Sequence, residues 1–251
     1  MTGDETDDEE VRRSLVFSRR RGHKLRPRRQ ALMRDLLPEI EIDLEQSADV
    51  IDPRSFFSAG IKEIWLEIGF GAGEHLAWQA ARRPDVGFIG CEPFMNGVAA
   101  LLSRIAEDNL VNVRIFPDDA RLLLARLGAG GVSRLAILFP DPWPKKRHHK
   151  RRIVSPEIVT RCADILADGG EFRFATDHAE LARWTLLHMQ RERRFNWLAE
   201  RAADWRERPE DWPETRYEQK AREAGRASIF LRYLRLPQTE SEIKTEARSR
   251  A

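Results

Sequence analysis

Residues 139–152, FPDPWPKKRHHKRR, carry the densest chemistry in this chain of 251 residues. One carboxylate, Asp141, stands between Pro140 and Pro142. Each proline fixes its own φ and restricts the residue before it, so Asp141 has little conformational freedom. Trp143 adds a flat apolar face. Lys145, Lys146, Arg147, Lys150, Arg151 and Arg152 then place six cations in eight positions, with His148 and His149 between them. A stiff acidic corner running into a cationic ribbon suits chemistry on one base of a polyanion whose phosphates are gripped alongside. Further carboxylates recur where apolar runs end: Glu67, Glu92 and Asp119.

The elements that must position these groups follow from the hydrophobic pattern. An apolar run at 61–68 reads as a first core strand and leads into Gly69-Phe70-Gly71-Ala72-Gly73, then into a helix over 74–83. Strand, glycine turn and helix open a doubly wound α/β fold, whose turn lets a ligand approach backbone N–H groups. Residues 88–91 read as the second strand, ending at Glu92. Val98, Leu101, Leu102 and Ile105 mark an amphipathic helix over 94–108. Residues 113–116 form a third strand ending at Asp118-Asp119, and a helix over about 120–127 stops at Gly128, Gly130 and Gly131. The fourth strand, 134–139, delivers Asp141. Ser155 and Pro156 predict a helix start, with Gly169-Gly170 ending that helix. A fifth strand over 171–175 leads to Thr176-Asp177. Asp177 and Glu180 have capping-box spacing at the start of the next helix, and capping is the favoured reading of Asp177. Strands are expected at 195–199 and 229–236, with a polar loop at 204–227 between them. In that loop, packing is the expected role of Trp205 and Trp212. The expected architecture is α/β and Rossmann-like: a mostly parallel seven-stranded sheet with an antiparallel strand and helices on both faces.

Net charge is only +2, but the charge is blocky. Residues 1–14 are polar and acidic and read as a disordered head. Residues 15–50 read as a basic arm carrying Arg19, Arg20, Arg21, Lys24, Arg26, Arg28 and Arg29, with a short helix from about Arg28 that Pro38 stops. The main domain is expected over 51–236, and 237–251 reads as a disordered tail. Local basic blocks in a nearly neutral chain point to a polyanionic partner held at defined places. Cys91 and Cys162 have no metal spacing and read as core residues of a protein in a reducing compartment. No metal site is expected. The acidic start has no apolar region of the signal-peptide kind, and no run approaches the length of a membrane helix, so a cytoplasmic protein is expected.

The glycine turn by itself does not choose a cofactor. The dinucleotide fingerprint wants a third glycine at its sixth position, where this chain has Glu74. Glu67, Glu92, Asp119 and Asp141 at successive strand ends suit the cationic S-adenosylmethionine better than an anionic dinucleotide. Taken singly, each is equally a solvated strand end, and Asp119 a helix N-cap.

Six segments agree with that reading: LEIGFGAGEH at 66–75, GCEP at 90–93, PDDA at 117–120, FPDPWPKKRHHKRRIV at 139–154, ATDH at 175–178 and TRYEQKAREAG at 215–225. In these the chain resembles the bacterial tRNA (guanine-N7)-methyltransferases of the TrmB type, over about 17–236. The resemblance implies methyl transfer from S-adenosylmethionine to N7 of the variable-loop guanosine at position 46 of tRNA. It implies a cofactor site of Glu67, Gly69, Gly71, Gly73, Glu92, Asp119 and Asp141, with Asp141 as the catalytic position. Lys145, Asp177, Thr215, Arg216, Tyr217 and Glu218 would contact the guanosine, and Arg147, His148, His149, Lys150, Arg151 and Arg152 the RNA. Two readings compete: methylation of an exocyclic amine, whose DPPY-like tetrapeptide Asp141-Pro142-Trp143-Pro144 matches poorly, and an RNA-binding protein without turnover. The oligomeric state is not legible.

Overall fold

The computed structural model describes residues 20–47 and 49–237. The predicted acidic head and nearly all of the predicted tail lie outside the described residues. Strands β1 (Glu63–Ile68), β2 (Val86–Cys91), β3 (Val113–Phe116), β4 (Val132–Leu138), β5 (Leu166–Thr176), β6 (Phe195–Trp197) and β7 (Ile229–Arg235) form a sheet ordered β3-β2-β1-β4-β5-β7-β6. β1 to β5 are parallel, and β7 runs antiparallel to both β5 and β6. The chain winds outward from β1 to β3, then returns to place β4 on the other side of β1. That reversal leaves a crevice at the carboxyl ends of β1 and β4, where open α/β sheets bind ligands.

The helices form where the apolar spacing requires. In α3 (Glu74–Arg82), Leu76, Ala77 and Ala80 are buried; in α4 (Met95–Asp108), Val98, Leu101, Leu102 and Ile105 are buried. Burying each large side chain contributes roughly 1.5–3 kcal/mol, which outweighs any weakness of the isolated helix. α5 (Ala120–Arg126) and α6 (Pro156–Ile165) pack on the other face of the sheet, with Leu123, Leu124, Val159 and Cys162 in its core. Ser155 caps α6 by accepting the Ile158 N–H at 3.3 Å, with Pro156 at the first helical position.

Several expectations need correction. Pro38 does not stop a helix: α1 (Pro27–Asp35) yields to a second short helix, α2 (Leu37–Ile40), with Pro38 in its first turn, where a missing N–H costs nothing. Leu37 is buried and Leu32, Met33, Leu36 and Ile40 pack beside it against the α3–α4 core. Gly169-Gly170 do not end α6, which stops at Ile165; Gly169 instead turns within β5, where its pairing with β4 slips register. Asp177 and Glu180 make no capping box. Helix α7 (Ala179–Arg191) starts without a side-chain cap, Asp177 accepts from Arg226 Nε at 2.7 Å and Glu180 accepts from Arg152 at 3.0 Å. The polar segment 204–227 is not all loop: it holds most of α8 (Ala203–Arg206) and all of α9 (Arg216–Glu223).

Candidate active site

The crevice at the switch point is a cleft of about 870 Å³. Gly69, Gly71, Glu92, Asp119, Asp141, Arg151, Arg216 and Tyr217 all line it. The glycine turn forms its floor. Gly71 has φ +58°, and a Cβ there would stand 3.0 Å from Tyr217 Cε2. Across the turn, a Cβ on Gly97 would meet the Gly71 carbonyl oxygen at 2.3 Å, so α4 approaches the loop as closely as backbone allows.

Glu92 sits at the end of β2, almost fully buried. Its carboxylate accepts the Gly71 N–H and the Phe94 N–H, each at 2.9 Å. Burial pushes its pKa above the usual carboxylate range, those two N–H groups oppose the shift, and the charges of Asp141 and Glu67 add to it. Asp119 caps α5 by accepting the Arg121 N–H at 2.9 Å, and also pairs with the Arg121 guanidinium at 2.8 Å. The N-cap reading and a place on the cleft wall therefore coexist. Glu67 does not line the cleft: it is buried beneath, 2.6 Å from His75 Nδ1. Gly73 likewise lies below, as the N-cap of α3.

Asp141 is exposed at the end of β4. The turn that carries it is bracketed by two non-glycine residues of positive φ, Phe139 at 50° and Trp143 at 40°. Each precedes a proline. Such backbone costs of order 1–3 kcal/mol and persists only where the surroundings hold it. Here Phe139 N–H donates to the Ala175 carbonyl, and Arg152 donates to the Pro142 and Trp143 carbonyls at 2.9 and 3.3 Å. Arg152 is buried, with Glu180 as its counter-charge. Its predicted place on the RNA face is thus corrected: it clamps the turn from inside. Lys145, Lys146, Arg147 and Lys150 remain exposed, on a short 3-10 helix spanning Lys146–Arg151 and the residue before it. His148 is half-buried against the Trp143 ring, and burial followed by Arg151, Arg147 and Lys145 holds its pKa below the usual imidazole value. His149 is half-buried, 3.3 Å from Glu180 and edge-on to Trp184.

The segment Thr215–Glu218 begins α9. Thr215 accepts the Glu218 N–H at 3.2 Å, and the Glu218 carboxylate faces back to the Thr215 backbone N–H. Threonine, two residues and glutamate form a capping box, which presents Arg216 and Tyr217 to the cleft. Burial raises the Glu218 pKa, and Arg208, 3.5 Å away, opposes the shift. Asp177 reaches the far end of α9 through Arg226. Lys145, Asp177, Thr215 and Glu218 do not line the cleft, though Thr215 and Glu218 flank Arg216 and Tyr217, which do. Arg121, Asn96 and Gly97 also line the cleft and were not among the expected site residues, although Asn96 and Gly97 stand three and four residues after the GCEP segment.

Residues 62–231 match the family model described as "Putative methyltransferase". A tRNA (guanine-N(7)-)-methyltransferase of Rhodospirillum rubrum is 47% identical over 223 residues, 88% of each chain. One from Nitrobacter hamburgensis is 46% identical over 219 residues, 87% of this chain and 86% of that one. The chain belongs to the tRNA (guanine-N(7)-)-methyltransferase family. Among solved structures, an antibiotic-related methyltransferase aligns with TM-score 0.51 at 16% identity, over 76% of this chain and 97% of that one, which supports the fold alone.

As a member of this family the chain uses S-adenosylmethionine, and the cleft fits it. The glycine turn admits a ligand against backbone, Glu92 offers a nearly buried carboxylate at a strand end, and Asp119 another one strand further on. Among the described residues no group of His, Cys, Asp and Glu could hold a metal ion, and no helix is long and apolar enough to cross a membrane.

Proposed function

We propose that this protein methylates N7 of a guanosine in tRNA, the variable-loop guanosine at position 46, with S-adenosylmethionine as methyl donor, in the cytoplasm. The observation that carries this reading is the sharing of one cleft by Glu92, Asp119, Asp141 and Tyr217, with exposed Lys145, Lys146, Arg147 and Lys150 beside its mouth.

When bound, S-adenosylmethionine supplies an electrophilic methyl group on a cationic sulfur. Guanine N7 is a bare lone pair, so no proton has to leave it first, and catalysis rests on placement and on the electrostatics of the site. Positive charge moves onto the guanine as the methyl arrives. Asp141, on a turn held rigid by Arg152 and two prolines, offers a fixed negative charge there without reorganising. Asp177 and Glu218 supply acceptors at the mouth for guanine N1–H and the exocyclic amine. The cleft walls hold the donor, with Glu92 accepting the ribose hydroxyls. The cationic 3-10 helix binds phosphates and sets register without reading sequence.

The test is methyl transfer from labelled S-adenosylmethionine to tRNA lacking its own N7-methylguanosine, with Asp141→Ala alongside. The expected result is label at a variable-loop guanosine, released by alkali after reduction, and loss of most turnover in the variant. Label on another base overturns the substrate. No label, with tRNA still bound at low salt, favours a binding protein.

A further inference from the structure

Beside the cleft lies a cluster of paired charges, two of them buried and the rest partly so, that contributes nothing to the cleft lining. It occupies one face of the sheet. Glu67, Ala136, Arg173 and Arg232 lie in register across β1, β4, β5 and β7, and Trp65, Arg134, Glu171 and Leu234 form the next row. Arg173 is almost completely buried and donates to Glu171 at 2.8 Å and to Asp211 at 2.7 Å. Arg134 donates to the same Asp211 oxygen at 3.2 Å, and Arg232 to Glu171 at 2.6 Å. Burying charges costs several kcal/mol each before pairing, and apolar residues of similar volume would fill such a layer at no such cost.

Asp211 is the member that does not come from the sheet. It belongs to the segment leading into α9, four residues before Thr215. Its neighbour Trp212 is buried on Ala136, Leu138, Ala175 and Phe230. From the opposite side Gln79 of α3 reaches in: its Nε2 donates to the Asp211 carbonyl at 2.7 Å and lies 3.2 Å from His75 Nε2. Gln79 Oε1 accepts from Arg83 at 2.6 Å, which fixes the orientation of the amide. His75 Nε2 is therefore an acceptor, its proton sits on Nδ1, and it donates that proton to Glu67. One hydrogen-bonded chain links Asp211, Gln79, His75 and Glu67, with Gln79 donating to both of its neighbours and His75 to Glu67. One end is two residues before the glycine turn, and the other holds the segment whose Tyr217 rests over that turn.

We propose that Gln79 is a positioning residue, which ties the cofactor edge of the site to the guanosine-side helix so that each ligand binds better when the other is present. The proposal rests on the tRNA methyltransferase reading. Cofactor-bound turn and seated α9 share one hydrogen-bonded strut, so ordering one end lowers the cost of ordering the other. Gln79 is completely buried and lines no part of the cleft.

The experiment measures the dissociation constant of S-adenosylhomocysteine, the demethylated donor, with and without unmodified tRNA, in the full-length protein. Gln79→Leu and Gln79→Met are compared with wild type; the methionine keeps length and volume and loses the hydrogen bonds. Wild type is expected to show coupling of about fivefold or more, the lower end of common values. Both variants are expected to bring the ratio to within about twofold of one. The ¹⁵N shifts of the His75 ring should lose their single-tautomer signature in the same variants. A Gln79 variant that melts earlier but keeps the wild-type coupling and the His75 tautomer overturns the proposal, as does a wild type with no coupling. Failure of the substrate reading would be separate: binding and coupling could be measured with no methyl transferred to guanine N7.

Discussion

The role proposed for Glu92, accepting ribose hydroxyls, needs a carboxylate that stays charged while walled off from water. Burial raises its pKa, while the Gly71 and Phe94 N–H groups keep the ionised form tolerable. For an acid whose folded pKa lies above its unfolded value, the fold penalises the charged form. That penalty is fully present above the folded pKa and is relieved as pH falls through it. Two opposite trends should therefore share one pH window above the ordinary glutamate range. As pH falls through it, cofactor affinity should drop because the acceptor is lost, while the Glu92 contribution to the stability of the ligand-free protein improves. Calorimetric titration of the cofactor and thermal melts over neutral to mildly acidic pH check both signs. A cofactor affinity flat across that window, while an ordinary surface carboxylate titrates below it, would contradict this account. Arg152 teaches a related lesson. Its type and its position in a cationic run read as phosphate binding, yet two backbone carbonyls and Glu180 claim it.

Capping boxes illustrate what a helix start needs. Asp177 with Glu180, and Thr215 with Glu218, have the same spacing. In the first, Arg226 and Arg152 pull both carboxylates away from the backbone, so α7 starts without a cap. In the second, Thr215 is buried and Glu218 faces inward, and the box closes. That closure aims Arg216 and Tyr217 at the cleft. Thr215→Ala should cost about 1 kcal/mol, the ordinary worth of an N-cap. For a domain of this size the melting temperature should fall by roughly 2–4 °C. Because α9 then frays, KM for tRNA should rise while the dissociation constant of the cofactor alone holds. Thr215→Ser should restore both. If alanine weakens the cofactor as much as the tRNA, the helix has a wider role than presenting two side chains.

At the scale of the molecule, a net charge of +2 hides local concentrations of cations. Lys145, Lys146, Arg147 and Lys150 stand exposed beside the cleft, and α1 brings Arg28 and Arg29 near its rim. Binding of a polyanion to such a surface releases counterions, so tRNA affinity should fall linearly in log–log against salt. Each phosphate contact contributes roughly 0.7–0.9 to that slope. Replacing Lys146 and Lys150 with alanine should flatten the slope by about one to two units, and should do so equally for different tRNA species. A variant that discriminates between tRNAs while keeping the full slope would assign these lysines to base recognition instead.

The strand–turn–helix order, the helices of α3 and α4, the start of α6 and the row of strand-end carboxylates were legible because each depends on local period or local chemistry. Apolar spacing decides a helix face, and a serine before a proline decides a helix start, wherever they occur. The placement of β7 between β5 and β6, the burial of Arg152, the withdrawal of Glu67 from the cleft wall and the failure of the Asp177 cap were not legible. Three depend on a partner far along the chain, Arg232 with Arg173, Glu180 with Arg152 and Arg226 with Asp177, and Glu67 turns to His75, eight residues on, once the helix after the glycine turn packs back on its strand. A side chain able to cap, bind a ligand or pair with a charge does whichever its surroundings leave cheapest. Those surroundings exist only once distant segments have folded together.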